Sequence, residues 1–221
     1  MSSKYTAIIV EPRQHKALSF VLNNFLENLS DEWNIIIIHG TNNYDYLLNI
    51  IETNLNIYKD RIKLINLHVA NLTINDYNKL LKSHKFYEYI PTEVFMIFQT
   101  DSMIIPKYRE YINFFLNFDY VGAPWNNGLV GNGGLSIRKK SKMLEIINAH
   151  NTFDQNNEDG FFSLNKSIPL FKPTFTQATL FSMEQVFSKN GSFGIHKAWD
   201  YIDNKLLKDM HDDIITLKNL Q

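Results

Sequence analysis

At 221 residues, 44% hydrophobic and 14% aromatic, the chain has the composition of a folded globular protein with one sizeable core. Its formal net charge of −1 gives no electrostatic basis for nucleic acid or anionic membrane, and the absence of cysteine excludes disulfides and thiolate metal sites. The polar stretch from Met1 to Thr6 lacks the apolar core of a signal peptide. No apolar run approaches the ~20 residues of a membrane span, so a cytoplasmic protein with no transmembrane segment in this chain is expected.

Residues 5–10 read as a short β-branched strand, followed over 16–28 by a helix with Leu18, Val21, Leu22 and Phe25 at helical spacing. Residues 33–39, with four consecutive isoleucines, read as a second, buried strand that ends at Gly40-Thr41. A helix over 44–54, a strand over 62–69 and a helix over 74–84 follow. A fourth strand over 94–99 is an apolar run that stops near Asp101. Such alternation predicts an α/β fold with a parallel sheet, and right-handed crossovers place the four carboxyl ends on one edge.

Ligands of open α/β sheets bind beyond that edge. It collects Glu11-Pro12-Arg13 with His15, then His39-Gly40-Thr41, then Asp101. Arg13 suits a nucleobase face or a phosphate, or else an ordinary solvated loop. Asp101 suits either a turn cap or a divalent cation held against a phosphate.

Beyond Asp101 the pattern changes to a helix over 107–117, a short strand over 118–123 and a tight loop at Pro124-Trp125-Asn126-Asn127-Gly128. Gly131-Asn132-Gly133-Gly134 then leads into a strand ending at Arg138. It is neither a Walker loop nor a GxGxxG turn. Its glycines permit close approach to a ligand, or a plain turn. In Asn156-Asn157-Glu158-Asp159-Gly160-Phe161-Phe162, two acids open a helix, where they either line a cleft or answer the helix dipole. His196, close to Trp199, is either a packed histidine or a metal ligand.

In this order, Phe98-Gln99-Thr100-Asp101-Ser102, Asp119-Tyr120-Val121-Gly122-Ala123-Pro124-Trp125, Gly131-Asn132-Gly133-Gly134-Leu135-Ser136-Ile137-Arg138, Asn157-Glu158-Asp159 and Phe193-Gly194-Ile195-His196-Lys197-Ala198-Trp199 resemble a family of glycosyltransferase-like domains of giant viruses, fungi and bacteria. That family is similar to GT-A-fold, sugar-nucleotide-dependent inverting transferases of the galactosyltransferase and fringe types. The resemblance runs from about Thr6 to Trp199. It implies a GT-A-like (Rossmann-like), mixed but mainly parallel sheet flanked by helices in a single domain, 1–221. About 1–101 would be the nucleotide-binding half and about 102–221 the acceptor and catalytic half. For a viral chain it implies the host cytoplasm.

By this resemblance Asp101 matches the last Asp of a DxD motif and ligates Mn²⁺ or Mg²⁺, with His196 as a second ligand. Asp159 is the general base and Glu158 positions acceptor or donor. Asn132, Gly133 and Gly134 line the donor sugar, with Trp125 and Trp199 beside it. Glu11, Arg13, His15, His39, Gly40, Gln99 and Thr100 surround the nucleotide of a UDP-sugar. The acceptor is a hydroxyl of a glycan, glycoprotein or glycolipid. One departure stands out: the first Asp of DxD is Gln99 here, which hydrogen-bonds but cannot neutralise a cation. That leaves two alternatives, a catalytically inactive sugar-nucleotide-binding module and a metal-dependent nucleotidyltransferase. Scattered lysines and arginines weigh against the second.

Overall fold

A computed structural model describes residues 3–150 and 157–221; Met1 and Asn156 lie outside the described residues. The isoleucines at 35–38 are all buried, and they divide by parity. Ile35 and Ile37 enter one apolar cluster, Ile36 and Ile38 the other. Alternate residues of a strand face opposite sides, so this strand is covered on both faces, as the sequence predicts.

The described strands are β1 (Tyr5–Val10), β2 (Trp33–His39), β3 (Ile62–Asn66), β4 (Val94–Phe98), β5 (Ser102–Ile104), β6 (Tyr120–Gly122), β7 (Leu135–Lys139), β8 (Ser182–Met183) and β9 (Gly194–His196). Six form a central sheet of order β3-β2-β1-β4-β7-β6. The first four are mutually parallel, whereas β7 runs antiparallel to β4 and to β6. The chain therefore winds outward from β1 to β3 and then returns to place β4 on β1's other side. This reversal leaves a crevice at the carboxyl ends of β1 and β4, the place where such sheets bind ligands.

The helices α1 (Leu18–Asn28), α2 (Tyr44–Thr53), α3 (Ile74–Leu81), α4 (His84–Glu88), α5 (Ile112–Phe115), α6 (Lys140–Ala149) and α7 (Glu158–Ser163) flank the sheet. Phe25 of α1 stacks on Phe98 of β4 at 3.9 Å between ring centroids, seating that helix directly behind the carboxyl end of β4. Among the described residues no helix is long and apolar enough to cross a membrane.

Three predicted boundaries shift for local reasons. β3 stops at Asn66 because its side chain accepts the His68 amide at 2.7 Å and His68 turns to positive φ. The helix expected over 74–84 splits, since the Ser83 hydroxyl accepts the Phe86 amide and starts α4. The helix expected over 107–117 is a 3₁₀ segment, Pro106–Tyr111, followed by the single turn of α5.

A second sheet, β5-β9-β8, was not legible in the sequence. Asn24 fastens it to α1: its amide donates to the Ile104 carbonyl at 2.9 Å, and its oxygen accepts the Ile104 amide at 2.7 Å. Both groups are buried, so their loss leaves two unsatisfied backbone atoms. Asn24→Ala is expected to lower the unfolding free energy by about 2–4 kcal/mol in urea titration.

Candidate functional site

β1 ends at Val10 and β4 at Phe98, so the residues that follow them open into the crevice between the two strands. There they line a cavity of about 450 Å³. Glu11, Arg13, Gln99, Thr100 and Asp101 enter from this edge. Asn132, Gly133, Gly134, Glu158, Asp159 and His196 close it from the second half of the chain. Eleven of the sixteen residues singled out in the sequence thus meet around one cavity.

Five do not line it. His39 is buried beside Tyr44, with a ring nitrogen 2.8 Å from the Gly40 carbonyl. Gly40 is packed behind Pro12 and the Val69 carbonyl, where a Cβ would lie 2.5 Å from the latter oxygen. The Nδ1 of His15 accepts the Ala17 amide in the loop leading to α1. Trp125 lies over Gly131, and Trp199 packs against the larger apolar cluster.

Four carboxylates border the cavity, and their partners separate them. Glu11 binds Arg13 through two hydrogen bonds of 2.8 and 2.7 Å, fixing the guanidinium plane at the cavity edge. Glu158 binds the fully buried Arg138 of β7 at 2.6 and 3.1 Å. Asp101 lies 3.3 Å from Nε2 of His196. Asp159 alone has no ion-pair partner among the described residues.

That difference separates Asp159 from Asp101 in protonation. Burial and then the neighbouring charge of Glu158 push the Asp159 carboxyl above the ordinary carboxylate range. Burial acts in the same direction on Asp101, but contact with His196 outweighs it and holds that carboxyl low. His196 is buried, which favours its neutral form, yet Asp101 on one side and Glu184 on the other raise it to about 9. Glu184 Oε1 lies 3.4 Å from Nδ1 of the ring.

The residues fit a hard divalent cation on one observation. Asp101 Oδ1 is buried and has no hydrogen-bond partner, and it faces an imidazole nitrogen and the Gln99 amide oxygen, 3.2 Å from that same nitrogen. Among the described residues, no three His, Asp or Glu side chains converge as a metal cluster. The protein ligands would therefore be Asp101, His196 and the neutral Gln99 oxygen.

Two glycines are required by close approach. A Cβ at Gly133 would lie 2.3 Å from Glu158 Oε1, and one at Gly134 would lie 2.1 Å from His196 Nε2. The glycine-rich loop thus separates the Arg138–Glu158 pair from the Asp101–His196 pair at van der Waals range.

Sequence reading quoted Arg138 but gave it no role. The available signal was a charge closing the otherwise uncharged strand Leu135-Ser136-Ile137-Arg138, since a charge that is buried demands a partner. Tyr77 and Asn78 of α3 were missed as well. Tyr77 accepts from the Gln99 amide at 3.1 Å, and Asn78 accepts the Glu158 backbone amide at 2.8 Å.

The sheet order, the switch-point cavity and its acidic lining define a GT-A-like α/β protein. The fold is shared with TarS 1–349 of S. aureus in complex with UDP-GlcNAc: TM-score 0.55 at 12% identity, over 97% of this chain and 66% of that one. It is shared too with the mannosyltransferase PcManGT of Pyrobaculum calidifontis in complex with GDP-Man and Mn²⁺: TM-score 0.52, 10% identity, over 73% of this chain and 51% of that one. HddC of Yersinia pseudotuberculosis complexed with GMP-PN gives 0.52 at 12% identity, over 94% and 99%. The matched part of this chain thus spans about half the length of the mannosyltransferase. No curated protein matches the chain in sequence. The chain belongs to the DUF5672 family, a protein family of unknown function, whose model matches residues 61–196 and so takes in Asp101, Arg138, Glu158, Asp159 and His196.

Removing one partner of a buried ion pair leaves an uncompensated charge. Arg138→Met is expected to cost about 3–5 kcal/mol in urea unfolding. Adding Glu158→Leu should recover most of that loss, because both charges are then gone.

Proposed function

We propose that the chain is an inverting glycosyltransferase that moves a sugar from a nucleotide-sugar donor, a UDP-sugar, to a hydroxyl of a glycan, glycoprotein or glycolipid. The observation that carries this reading is Asp159: a carboxylate with no ion-pair partner among the described residues, lining the cavity that also holds the Asp101–His196 pair and Arg13. The solved structures of similar fold, two of which hold nucleotide-sugars, support the donor class.

In this reading the first half of the chain, about 1–101, holds the nucleotide. Arg13, locked by Glu11 through Nε and Nη2, presents its plane to the base or its Nη1 to a phosphate. Asn132, Gly133 and Gly134 line the donor sugar. Asp101, His196 and the Gln99 oxygen would hold Mn²⁺ or Mg²⁺, which when bound offsets charge growing on the departing diphosphate. Asp159 accepts the proton of the acceptor hydroxyl, whose oxygen attacks the anomeric carbon as the bond to the diphosphate breaks. Glu158 is held by Arg138, so it orients the turn rather than taking the proton. A single base and one displacement invert the anomeric centre.

Gln99 favours a second reading, an inactive nucleotide-sugar binder. Its amide is engaged with Tyr77 and His196 where a carboxylate would add charge. Product analysis separates the readings: transfer releases free nucleoside diphosphate, a pure binder releases none, and pyrophosphate release would instead mark nucleotidyl transfer.

Asp159→Asn is expected to lower kcat by 10²–10⁴-fold, the usual contribution of a general base. The acid limb of kcat/KM in the wild type should lie above the ordinary carboxylate value of about 4. A folded-state pKa above the unfolded one gives stability that is present below the unfolded value and lost as pH rises through the folded one. The Asn variant should therefore melt at or above wild type at neutral pH and lose that advantage in acid. Wild-type turnover in this variant contradicts the assignment.

A further inference from the structure

β8 and β9 pair in parallel with Met183 opposite Ile195, so the next residue along each strand brings Glu184 beside His196. On the other side of β9, β5 pairs Ser102 with His196, setting Asp101 beside the same ring. The imidazole is thus held in a sheet between two acidic side chains. Nε2 faces Asp101 at 3.3 Å and Gln99 at 3.2 Å, while Nδ1 faces Glu184 at 3.4 Å. Glu184 and His196 are both buried. Neither Nδ1 of His196 nor Oε2 of Glu184 has a hydrogen-bond partner within the described residues. A buried ring nitrogen with no hydrogen-bond partner among the described residues therefore faces Oε1 of a buried carboxylate.

We infer that Glu184 is a positioning residue for the cation site: it accepts the Nδ1 proton of His196 and thereby fixes the tautomer that turns the Nε2 lone pair toward Asp101. The inference deepens the metal-assisted reading of this cavity and rests on it. An imidazole ligates only through an unprotonated nitrogen, and which nitrogen that is depends on the hydrogen bond made by the other. Without an acceptor at Nδ1 the neutral ring is free to carry its proton on Nε2, where Gln99 Oε1 already offers an acceptor. The Nε2 lone pair would then be lost to the cation. Glu184 is thus the group that opposes Gln99 in setting the ring. Glu184 also contributes to the raised carboxyl of Asp159, so turnover alone mixes two effects and metal binding is the cleaner readout.

The test measures Mn²⁺ binding by electron paramagnetic resonance in the presence of UDP, for wild type, Glu184→Gln and Glu184→Ala, each with its thermal melt recorded. Loss of a partner behind a metal-ligating histidine typically weakens affinity 10–100-fold. Glu184→Ala should show that loss, and Glu184→Gln, whose amide oxygen still accepts the Nδ1 proton, should stay within a few-fold of wild type. Equal affinity in Glu184→Ala and wild type overturns the inference, as does an equal loss in Glu184→Gln and Glu184→Ala. If neither variant folds, nitrogen-detected NMR of wild type with Mg²⁺ and UDP decides the matter. His196 carrying its proton on Nδ1 supports the inference; a proton on Nε2 overturns it. No Mn²⁺ binding by wild type would overturn the metal-assisted reading itself, and this inference with it.

Discussion

The arrangement of the cavity depends on one buried ion pair. Arg138 is fully buried in β7, between the rings of Tyr120 and Phe162 at 4.9 and 5.6 Å, and Glu158 opens α7. A guanidinium taken out of water is costly unless its hydrogen bonds are made, and the paired contacts with Glu158 provide that compensation. They also join the antiparallel part of the sheet to the helix that carries Asp159. Arg138 Nε donates to the Ser136 hydroxyl, which in turn donates to the Gly133 carbonyl, so the same charge fixes the glycine-rich loop. Absence of a side chain at 133 follows from this crowding. Engaging Glu158 leaves Asp159 as the cavity carboxylate with no counter-ion among the described residues.

The opposite wall is fixed by backbone. β5 begins one residue after Asp101, and β9 ends on His196, so pairing between them sets both side chains by ladder hydrogen bonds instead of by a loop. The Lys197 amide extends that ladder to the Asp101 carbonyl at 2.9 Å. Gly134 then brings the glycine-rich loop against the His196 ring, so the two walls meet along two glycines. Groups held this way need little rearrangement on binding, which is the physical condition for positioned base and charge catalysis.

Sequence periodicity exposed β1, β2 and β4 because these strands are apolar and covered on both faces. β1 and β2 run over the spans their patterns predict. Its failures were local or tertiary. Side-chain caps at Asn66 and Ser83 ended elements that hydrophobic spacing would have continued. β8 and β9, with two and three residues, are too short for a period to show, and Glu184 was invisible for that reason. The paired acids at 158–159 were legible as a pair. Their division of labour was not, because it depends on an arginine 20 residues earlier that reaches only one of them. Trp125 and Trp199 have the side chains of sugar platforms, yet one lies over Gly131 and the other packs into the apolar cluster, contacts set by tertiary packing alone.

The central claim is that this cavity binds a nucleotide-sugar together with a divalent cation. A ligand that binds only the native state raises its stability by mass action. Thermal melting of the chain against a panel of UDP- and GDP-sugars, each with and without Mn²⁺, tests the claim most directly. The account predicts that at least one nucleotide-sugar raises the melting temperature, and raises it further when Mn²⁺ is present. A panel in which no nucleotide-sugar shifts the melt, with or without the cation, would contradict it.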